Sequence, residues 1–329
     1  MPELSPFPAL VARDGTMTVE TADSSLLCNE ENAVTVKVAY SCINYKDALA
    51  VTNKGKILRA SPIIPGIDYV GEAISDAGDT KTGDKVILTG HAVGEKYSGG
   101  FAAYARAKAE WLLPVPAGMS EQQAMICGTA GLTAALCVLA VHESGDVKSG
   151  GDVVVSGASG GVGSFAVALL SRLGYNVTAI SRPAAEEYLR ALGASAIISR
   201  EEMTQASRPL EKSRWHGGVD CVGGTVLARM LAEMHYGGVV AACGLAGSHE
   251  LTTTVMPFIL RGVRLDGVDS VTAPRALRQR AWALLAEQMQ ESDYNHIHSE
   301  TVNLSQTVAA CEKILAGDSN GRILVTPTV

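Results

Sequence analysis

The sequence predicts an α/β protein in which a β-rich first part is followed by a doubly wound parallel sheet. Residues 1–121 hold short strand-like segments between Gly and Asp turns, and residues 34–39 alternate apolar and polar side chains as a half-buried strand does. Between residues 122 and 291, strand-like and helix-like segments alternate, which is typical of a parallel sheet covered by helices. Residues 292–329 return to short strand and helix patterns, and 329 residues suffice for two domains.

Local signals mark several elements of the second part. Ser120, with Gln123 three residues later, predicts a capping box at the start of an apolar helix. Residues 152–156 read as a buried strand and residues 176–180 as the next one, whereas residues 274–289 predict a long helix with one apolar side.

Composition and charge exclude several classes of protein. The formal net charge is −7, and no basic segment predicts a nucleic-acid partner. The chain has no secretory signal pattern and no run of 18 or more apolar residues, so we expect no membrane span. Its seven cysteines are scattered without a C-x-x-C pair, which predicts reduced thiols and a cytoplasmic location.

A glycine-rich turn between a strand and a helix is the sharpest local signal. Small residues allow the backbone to turn tightly and approach a pyrophosphate, and the helix N-terminus favours that anion. The alternative is a turn with a structural role only. The residues that we expect to contact a dinucleotide here are Ser159, Gly160, Gly161, Val162 and Gly163.

The end of the following strand favours NADPH over NADH. An NAD site typically has an acidic residue there for the ribose 2′-hydroxyl, but this chain has Ser181 and Arg182. A hydroxyl and a guanidinium suit a 2′-phosphate, and Arg200 after the third strand supplies a second cation. The alternative is that both arginines are ordinary exposed side chains.

Seven segments resemble the medium-chain dehydrogenase/reductases over essentially the whole chain. The most specific strings are N-Y-K-D at residues 44–47 and T-V-M-P-F-I-L-R-G-V at residues 254–263. The segments fall at residues 41–57, 62–73, 88–95, 128–138, 156–164, 236–247 and 253–270. Within the superfamily, the chain resembles the zinc-free quinone oxidoreductase branch and its acrylyl-CoA reductase subfamily.

This resemblance implies a fold and a division into domains. We expect a GroES-like β-barrel catalytic domain made of residues 1–121 and 292–329. A six-stranded, doubly wound Rossmann domain that binds NADPH is expected over residues 122–291.

The resemblance also implies a site without metal. Zinc-dependent relatives have a Cys where this chain has Asn44, and Gly-His-Glu where it has Gly66, Ile67 and Asp68. Cys127 matches a third ligand, but one thiol and an Asp do not make the three-ligand site of catalytic zinc. We therefore interpret Cys127 as a small buried side chain and expect no metal ion.

Tyr45 and Asn44 are the catalytic candidates. Reduction of a conjugated thioester needs hydride delivery to the β-carbon and hydrogen-bond donors for the enolate oxygen. In the family the motif tyrosine lies beside the nicotinamide half of the cofactor, so Tyr45 is expected to bind the cofactor and is a candidate proton donor. Water is an alternative donor, and the alternative role for Asn44 and Asp47 is to cap the next helix.

The resemblance places further cofactor contacts late in the chain. Leu245 is expected near the nicotinamide ribose, Ile259 and Ser270 on or beside the sixth strand, and Arg322 in a turn of the returning segment. Core packing is the alternative for Leu245 and Ile259, and an exposed turn position is the alternative for Arg322.

The predicted activity is NADPH-dependent reduction of a short 2-enoyl-CoA, with acrylyl-CoA giving propanoyl-CoA. Alternatives are an NADPH:quinone or alkenal/enone oxidoreductase, and a non-catalytic NADPH-binding protein.

The last Rossmann strand, around residues 262–268, follows the apolar run at residues 255–260. An uncovered sheet edge beside apolar side chains predicts a homodimer through that edge.

Overall fold

The computed structural model describes residues 4–144 and 150–329, and the contacts divide the chain into two compact units. The first unit contains Met1–Thr129 and His298–Val329, and the second contains Ala130–Ile297.

Antiparallel pairing dominates the first unit. Its strands are β1 (Phe7–Arg13), β2 (Thr16–Ala22), β3 (Ala33–Ile43), β4 (Asp68–Ala73), β5 (Lys85–Thr89), β6 (Tyr104–Lys108), β7 (Leu113–Pro114), β14 (His298–Val302) and β15 (Arg322–Val325). β1 and β2 form a hairpin, and the other seven strands form a sheet in the order β14-β15-β3-β4-β5-β7, with β6 paired to β3. The pair β14–β15 is parallel, and β15 lies antiparallel to β3.

Two helices pack together beside this sheet. They are α1 (Tyr45–Val51) and α10 (Thr307–Ala316). A buried apolar cluster that includes Ile43, Val51, Ala310 and Ile323 joins both helices to β3 and β15. This packing fixes α1, which begins at the N-Y-K-D motif. Short 3₁₀ turns occur at Ser24–Leu26, Ala109–Trp111 and Leu304–Gln306.

The second unit contains a six-stranded, fully parallel sheet with helices between its strands. Its strands are β8 (Asp152–Val155), β9 (Asn176–Ser181), β10 (Ala196–Ser199), β11 (Trp215–Asp220), β12 (Met234–Ala242) and β13 (Arg264–Gly267). Their order is β10-β9-β8-β11-β12-β13. Successive strands are added on one side of β8 up to β10 and then on its other side from β11 to β13, as in a doubly wound Rossmann sheet. The predicted α/β class is confirmed.

The helices of this unit flank the sheet or connect its strands. They are α3 (Gly161–Arg172), α4 (Glu186–Ala191), α5 (Arg200–Thr204), α6 (Gly224–Ala232), α7 (Met256–Arg261), α8 (Arg275–Gln288) and α9 (Glu291–Ile297), with a 3₁₀ turn at Pro183–Ala185. α8 confirms the helix predicted over residues 274–289, and β8 and β9 confirm the two predicted strands.

The helix α2 (Glu121–His142) begins in the first unit and continues into the second. The predicted capping box is confirmed, because the Gln123 amide donates to the Ser120 hydroxyl and the Gln123 side chain accepts from the Ser120 amide. Gly128 interrupts the helix with φ +49° and ψ −149°. α2 is long and apolar enough to span a membrane by length and composition, but most of it is buried inside the fold, as in the core helix of a globular protein.

The unit limits lie a few residues beyond the predicted boundaries at 121/122 and 291/292. The first turns of α2 stay with the first unit because the Ile126 carbonyl accepts a hydrogen bond from Arg322 of β15. α9 stays with the second unit because Asp293 pairs with Arg172 of α3, at 2.9 Å.

Ile259 lies on α7, before the sixth strand. Pro257 stands at the start of this helix and Gly262 ends it with φ +60°, so the segment that was expected on or beside a strand is helical. Arg261 donates to the carbonyls of Ala232 and Met234, which places the end of α7 at the amino end of β12.

Candidate cofactor site and active site

The glycine-rich turn connects β8 to α3 and leaves no room for side chains at its last glycine. A Cβ on Gly163 would lie 2.3 Å from the Gly157 carbonyl oxygen and 2.6 Å from the Ala158 Cα. Gly157 itself has φ +58°, which L side chains rarely adopt. The turn therefore needs glycine at both positions to bring the first turn of α3 against the end of β8.

The N-terminus of α3 presents backbone donors at this turn. α3 has 12 residues, and the amides of Gly161, Val162 and Gly163 precede the first amide that bonds within the helix, since Ser164 donates to the Gly160 carbonyl at 2.9 Å. Free N–H groups and the helix dipole make this end of the helix suited to a phosphate group.

The end of β9 lies beside the same turn. The buried hydroxyl of Ser181 donates to the hydroxyl of Ser159 at 3.2 Å. Arg182 follows directly and is half-buried, and its buried Nε makes no hydrogen bond within the part of the chain that the structure describes. A desolvated guanidinium nitrogen without an acceptor is costly, which indicates that an anion accepts from it when the site is filled.

Arg200 lies at the neighbouring strand end. Ser199 of β10 pairs in register with Ser181 of β9, and exposed Arg200 is the next residue, at the start of α5. The structure thus brings the turn residues, Ser181, Arg182 and Arg200 to the carboxyl edge of adjacent strands. These residues fit a dinucleotide whose ribose carries a 2′-phosphate.

Leu245 and Ser270 follow β12 and β13 at the same edge of the sheet. The Leu245 side chain is 67% exposed, so the alternative of core packing is wrong for it. The Ser270 hydroxyl accepts a hydrogen bond from Thr133 at 2.8 Å, and its carbonyl accepts one from Arg278. Both positions are compatible with a ligand at the strand ends, and their cofactor contacts stay predictions.

Ile259 is separated from this edge. It is 71% exposed, which excludes core packing, but the end of its helix lies at the amino end of β12. Its predicted contact with the nicotinamide gains no support from this position.

The N-Y-K-D motif forms the start of α1 in the first unit. Asn44 is the N-cap residue, and its backbone amide donates to the Asp47 carboxylate at 2.9 Å. The side-chain nitrogen of Asn44 donates to Asp68 Oδ2 at 2.9 Å. The capping role that was the alternative for Asn44 and Asp47 is therefore confirmed, and the Asn44 side-chain nitrogen donates to Asp47 at 3.2 Å as well as to Asp68.

Tyr45 differs from its neighbours because its side chain is 54% exposed. It occupies the first position of α1, between buried Asn44 and half-buried Lys46. The phenol is therefore accessible to a bound molecule.

Six residues form a buried polar cluster around the Asp68 carboxylate, called here the Asp68 cluster. It contains Cys42, Asn44, Asp47, Asp68, Thr129 and Arg322. The Asp68 carboxylate accepts from the Cys42 thiol at 3.3 Å, from Asn44, and from the amide and hydroxyl of Thr129. Gly128 makes the cluster possible, because a Cβ there would lie 2.6 Å from Asp68 Oδ2 and 2.8 Å from Cys42 Sγ.

Arg322 is buried in this cluster, so the alternative of an exposed turn position is wrong. It is the first residue of β15, and its guanidinium donates to the Ile126 carbonyl at 3.1 Å, the Ile43 carbonyl at 3.1 Å and Cys42 Sγ at 2.8 Å. The N-G-R sequence favours a turn at the surface, whereas pairing of β15 with β3 draws the side chain inward. Its predicted cofactor contact stays a prediction.

The environment of the cluster shifts the ionisation of two of its groups. Burial and the nearby Asp68 charge raise the pKa of Asp47 to about 7, although amides of Asn44 and Ile67 donate to it. Burial also raises the pKa of the Cys42 thiol well above its ordinary value. Cys42 is therefore a neutral donor to Asp68, not a thiolate ligand.

The donor set around Asp68 does not match the zinc site of metal-dependent relatives. Asn44 and Asp68, which the resemblance places at zinc-ligand positions, are hydrogen-bonded to each other, and the Arg322 guanidinium supplies a fixed positive charge beside Cys42. Within residues 4–144 and 150–329, no group of three or more His, Cys, Asp or Glu side chains has the arrangement of a metal site. Independence from metal stays a prediction about activity.

Sequence reasoning missed three contributors to this region. Cys42 and Thr129 carry no motif and join the cluster only through the sheet and the break in α2. Glu95 is buried and pairs with Lys46 of the N-Y-K-D motif at 2.8 Å. A signal existed for all three, because Cys42, Thr129 and Glu95 lie in the family-like segments at residues 41–57, 128–138 and 88–95.

Comparisons with known proteins agree with this architecture. Two family models match: the alcohol dehydrogenase GroES-like domain over residues 30–117 and the zinc-binding dehydrogenase over residues 161–287. The chain is 51% identical over 310 residues to the probable acrylyl-CoA reductase AcuI of Escherichia coli, with 94% of each chain covered. It is 46% identical over 295 residues to the acrylyl-CoA reductase AcuI of Ruegeria pomeroyi, with 89% of each covered.

A solved structure extends the likeness to three dimensions. The yhdH oxidoreductase of Salmonella enterica in complex with NADP is 50% identical and has a TM-score of 0.92, with 97% of this chain and 99% of that chain covered. The GroES-like match covers all of β3 to β7, and the dehydrogenase match begins at α3. The chain therefore belongs to the medium-chain dehydrogenase/reductase superfamily, in the family that contains the acrylyl-CoA reductases of the AcuI type.

Proposed function

We propose that this protein reduces the carbon–carbon double bond of a short 2-enoyl-CoA with NADPH, and that acrylyl-CoA, giving propanoyl-CoA, is its substrate. The observation that carries the cofactor choice is the end of β9, where Ser181 and Arg182 replace an acid and the Arg182 Nε lacks an acceptor. The names of the Escherichia coli and Ruegeria pomeroyi relatives support the substrate.

The chain's own residues divide the task of holding the cofactor. The amides of Gly161, Val162 and Gly163 bind the pyrophosphate at the start of α3. Ser181, Arg182 and Arg200 bind the 2′-phosphate through charge-assisted hydrogen bonds, which an acidic residue would oppose. When bound, NADPH supplies the hydride that is transferred to the β-carbon of the enoyl group.

Tyr45 is the residue of the first unit that we assign to the reaction region. Its phenol is exposed and follows the N-cap of a helix that the apolar core holds in place. There it can donate to the cofactor or to the thioester oxygen, on which negative charge grows as hydride arrives. Asn44 instead acts as a positioning residue, because its side-chain nitrogen binds Asp68 and its amide binds Asp47.

The Asp68 cluster has the properties of a rigid support. Each of Asp47, Asp68 and Arg322 makes several internal hydrogen bonds, and the Cys42 thiol is neutral. All four groups are buried, and we assign none of them a proton transfer to the substrate. We therefore assign protonation of the α-carbon to water or to Tyr45.

Initial rates of NADPH oxidation with a panel of acceptors test the proposal. The panel contains acrylyl-CoA, crotonyl-CoA, a long-chain 2-enoyl-CoA, a benzoquinone and no acceptor. We expect the highest kcat/KM with acrylyl-CoA and propanoyl-CoA as the product in mass spectrometry. A higher kcat/KM with the quinone would favour the quinone reductase alternative, and binding of NADPH without turnover would favour the non-catalytic one.

We also propose a homodimer joined at the free edge of the second unit's sheet. β13 ends the strand order, and large apolar side chains are exposed on β12 and on the segment of α7 before β13. These are Tyr236, Val255, Met256, Ile259 and Leu260. Pairing of two identical edges would satisfy the backbone of β13 and cover this surface. Light scattering at micromolar protein is expected to give twice the chain mass of 34.3 kDa, and a monomer mass would exclude the dimer.

Two further assignments accompany this proposal. We assign the catalytic domain to residues 1–121 with 292–329 and the NADPH domain to residues 122–291. We also infer a cytoplasmic location, which the seven unpaired cysteines support.

A further inference from the structure

Two of the seven cysteines differ from the rest in their access to solvent. Cys28, Cys42, Cys127, Cys137 and Cys311 are buried, whereas Cys221 and Cys243 are partly exposed. The sulfur atoms of these two lie 3.9 Å apart. Neither thiol has a part in hydride transfer from NADPH.

The backbone holds the pair at adjacent strand ends. Cys221 follows β11 and Cys243 follows β12, and the residues just before them, Asp220 and Ala242, are partners in the parallel ladder. The Cys243 amide continues the ladder by donating to the Asp220 carbonyl at 2.9 Å. Neighbouring strands lie about 4.8 Å apart, which is within the usual Cα spacing of about 4.4–6.8 Å for cysteines that can form a disulfide. Rotation of the side chains can therefore join the two sulfurs.

A third thiol prepares one member of the pair for reaction. Hydrogen bonds from Cys137 of α2 and from Cys221 lower the pKa of the Cys243 thiol well below its ordinary value. The same hydrogen bonds to Cys243, together with burial, raise the pKa of Cys137 and of Cys221. These shifts favour ionisation of Cys243 over that of its two neighbours, and a thiolate is the form of cysteine that attacks an oxidant.

We propose that Cys221 and Cys243 form an oxidisable dithiol that hydroperoxides convert to a disulfide. The Cys243 thiolate attacks one oxygen of hydrogen peroxide and the O–O bond breaks, which leaves a sulfenic acid on Cys243 and releases hydroxide. The Cys221 thiol then attacks the Cys243 sulfur, so that the S–S bond forms, the S–O bond breaks and water leaves with the thiol proton. The two sulfurs lose two electrons in total, and one peroxide is reduced to one hydroxide and one water; the proton that Cys243 released on ionisation converts that hydroxide to a second water.

The test uses the full-length wild-type protein, treated with hydrogen peroxide and then alkylated with iodoacetamide under denaturing conditions. Peptide mass mapping is expected to find one species that links the Cys221 peptide to the Cys243 peptide, with two alkylatable thiols lost per chain. Dithiothreitol is expected to restore both thiols.

Single substitutions provide matched controls. Cys221→Ser is expected to abolish the linkage and leave Cys243 as the sulfenic or sulfinic acid, and Cys243→Ser is expected to leave Cys221 reduced. Cys28→Ser removes a buried thiol outside the group and is expected to oxidise like the wild type.

Three outcomes of the wild-type mapping would overturn the proposal, whether or not the variants fold. These are an unchanged thiol count after peroxide, irreversible oxidation of either cysteine without linkage, and a disulfide that joins Cys137 in place of Cys221.

Discussion

The glycine-rich turn of the second unit and the Asp68 cluster of the first unit are built in opposite ways. The turn is made from a few consecutive residues, and its chemistry comes from backbone amides and from glycines that admit no Cβ. The cluster is made from residues between 42 and 322, and its order comes from side-chain hydrogen bonds in the interior. A backbone site should fail when a side chain is added, whereas a side-chain network should fail when one is removed.

The largest effect is expected from adding a side chain in the turn. Gly163→Ala would place a Cβ 2.3 Å from a backbone oxygen that cannot move without unwinding the turn. We expect NADPH affinity in fluorescence titration to fall by about 100-fold or more. Gly267→Ala is the control, because a Cβ there meets no atom within 4 Å. Unchanged affinity in Gly163→Ala would show that the turn does not hold the cofactor.

Removing a side chain from the Asp68 cluster should instead reduce stability. Arg322→Met keeps the aliphatic volume but leaves the Ile43 and Ile126 carbonyls without their donor. The free energy of unfolding in urea is expected to fall by about 2–4 kcal/mol. Exposed Arg59→Met should change it by less than about 0.5 kcal/mol. Equal stability of the two variants would contradict the supporting role of the cluster.

The next largest effect is expected at Arg182, whose side chain adds a contact to the backbone amides of the cofactor site. Arg182→Ala is expected to raise the KM for NADPH by about 10–100-fold, because a charge-assisted hydrogen bond contributes about 1.5–3 kcal/mol. The KM for NADH should stay nearly constant, since NADH lacks the 2′-phosphate. A parallel rise for both cofactors would indicate damage to the fold and not loss of a phosphate contact.

Tyr45→Phe tests an exposed side chain that is part of neither the glycine-rich turn nor the Asp68 cluster. Loss of one hydrogen bond to the cofactor is expected to raise the KM for NADPH about tenfold with little change in kcat. A fall in kcat of about 100-fold or more would instead assign the hydroxyl to the developing enolate. If both constants match those of the wild type, the hydroxyl takes no part in binding or reaction.

No effect is expected from metal removal. Dialysis against a strong chelator should leave kcat and KM unchanged, and elemental analysis should find no stoichiometric zinc, because Asn44 and Arg322 occupy the Asp68 cluster without a metal-ligand set. Loss of activity that zinc restores would contradict this.

The same contrast explains how much the sequence could predict. The candidate cofactor site lies within one short stretch of sequence, which contains the strand, the turn, the helix start and the Ser181–Arg182 pair. The local pattern was therefore enough to predict it. An exposed turn was left open for Arg322 because nothing in its neighbourhood reveals that β15 inserts between β14 and β3. Ile259 was expected on or beside a strand because apolar runs of this length fit both a strand and a helix. Pro257 at the start and Gly262 at the end favour the helix.

The place of β15 has a consequence for the order in which a newly made chain can fold. The second unit is continuous, from Ala130 to Ile297, so a ribosome releases all of its strands before the chain is finished. The sheet of the first unit lacks its link between β14 and β3 until β15, Arg322–Val325, has been synthesised. The end of β3 that pairs with β15, residues 41–43, must therefore wait with an open edge while most of the protein is translated, which is a state prone to aggregation. A stop codon before residue 322 should yield a chain whose second unit folds and whose first unit does not.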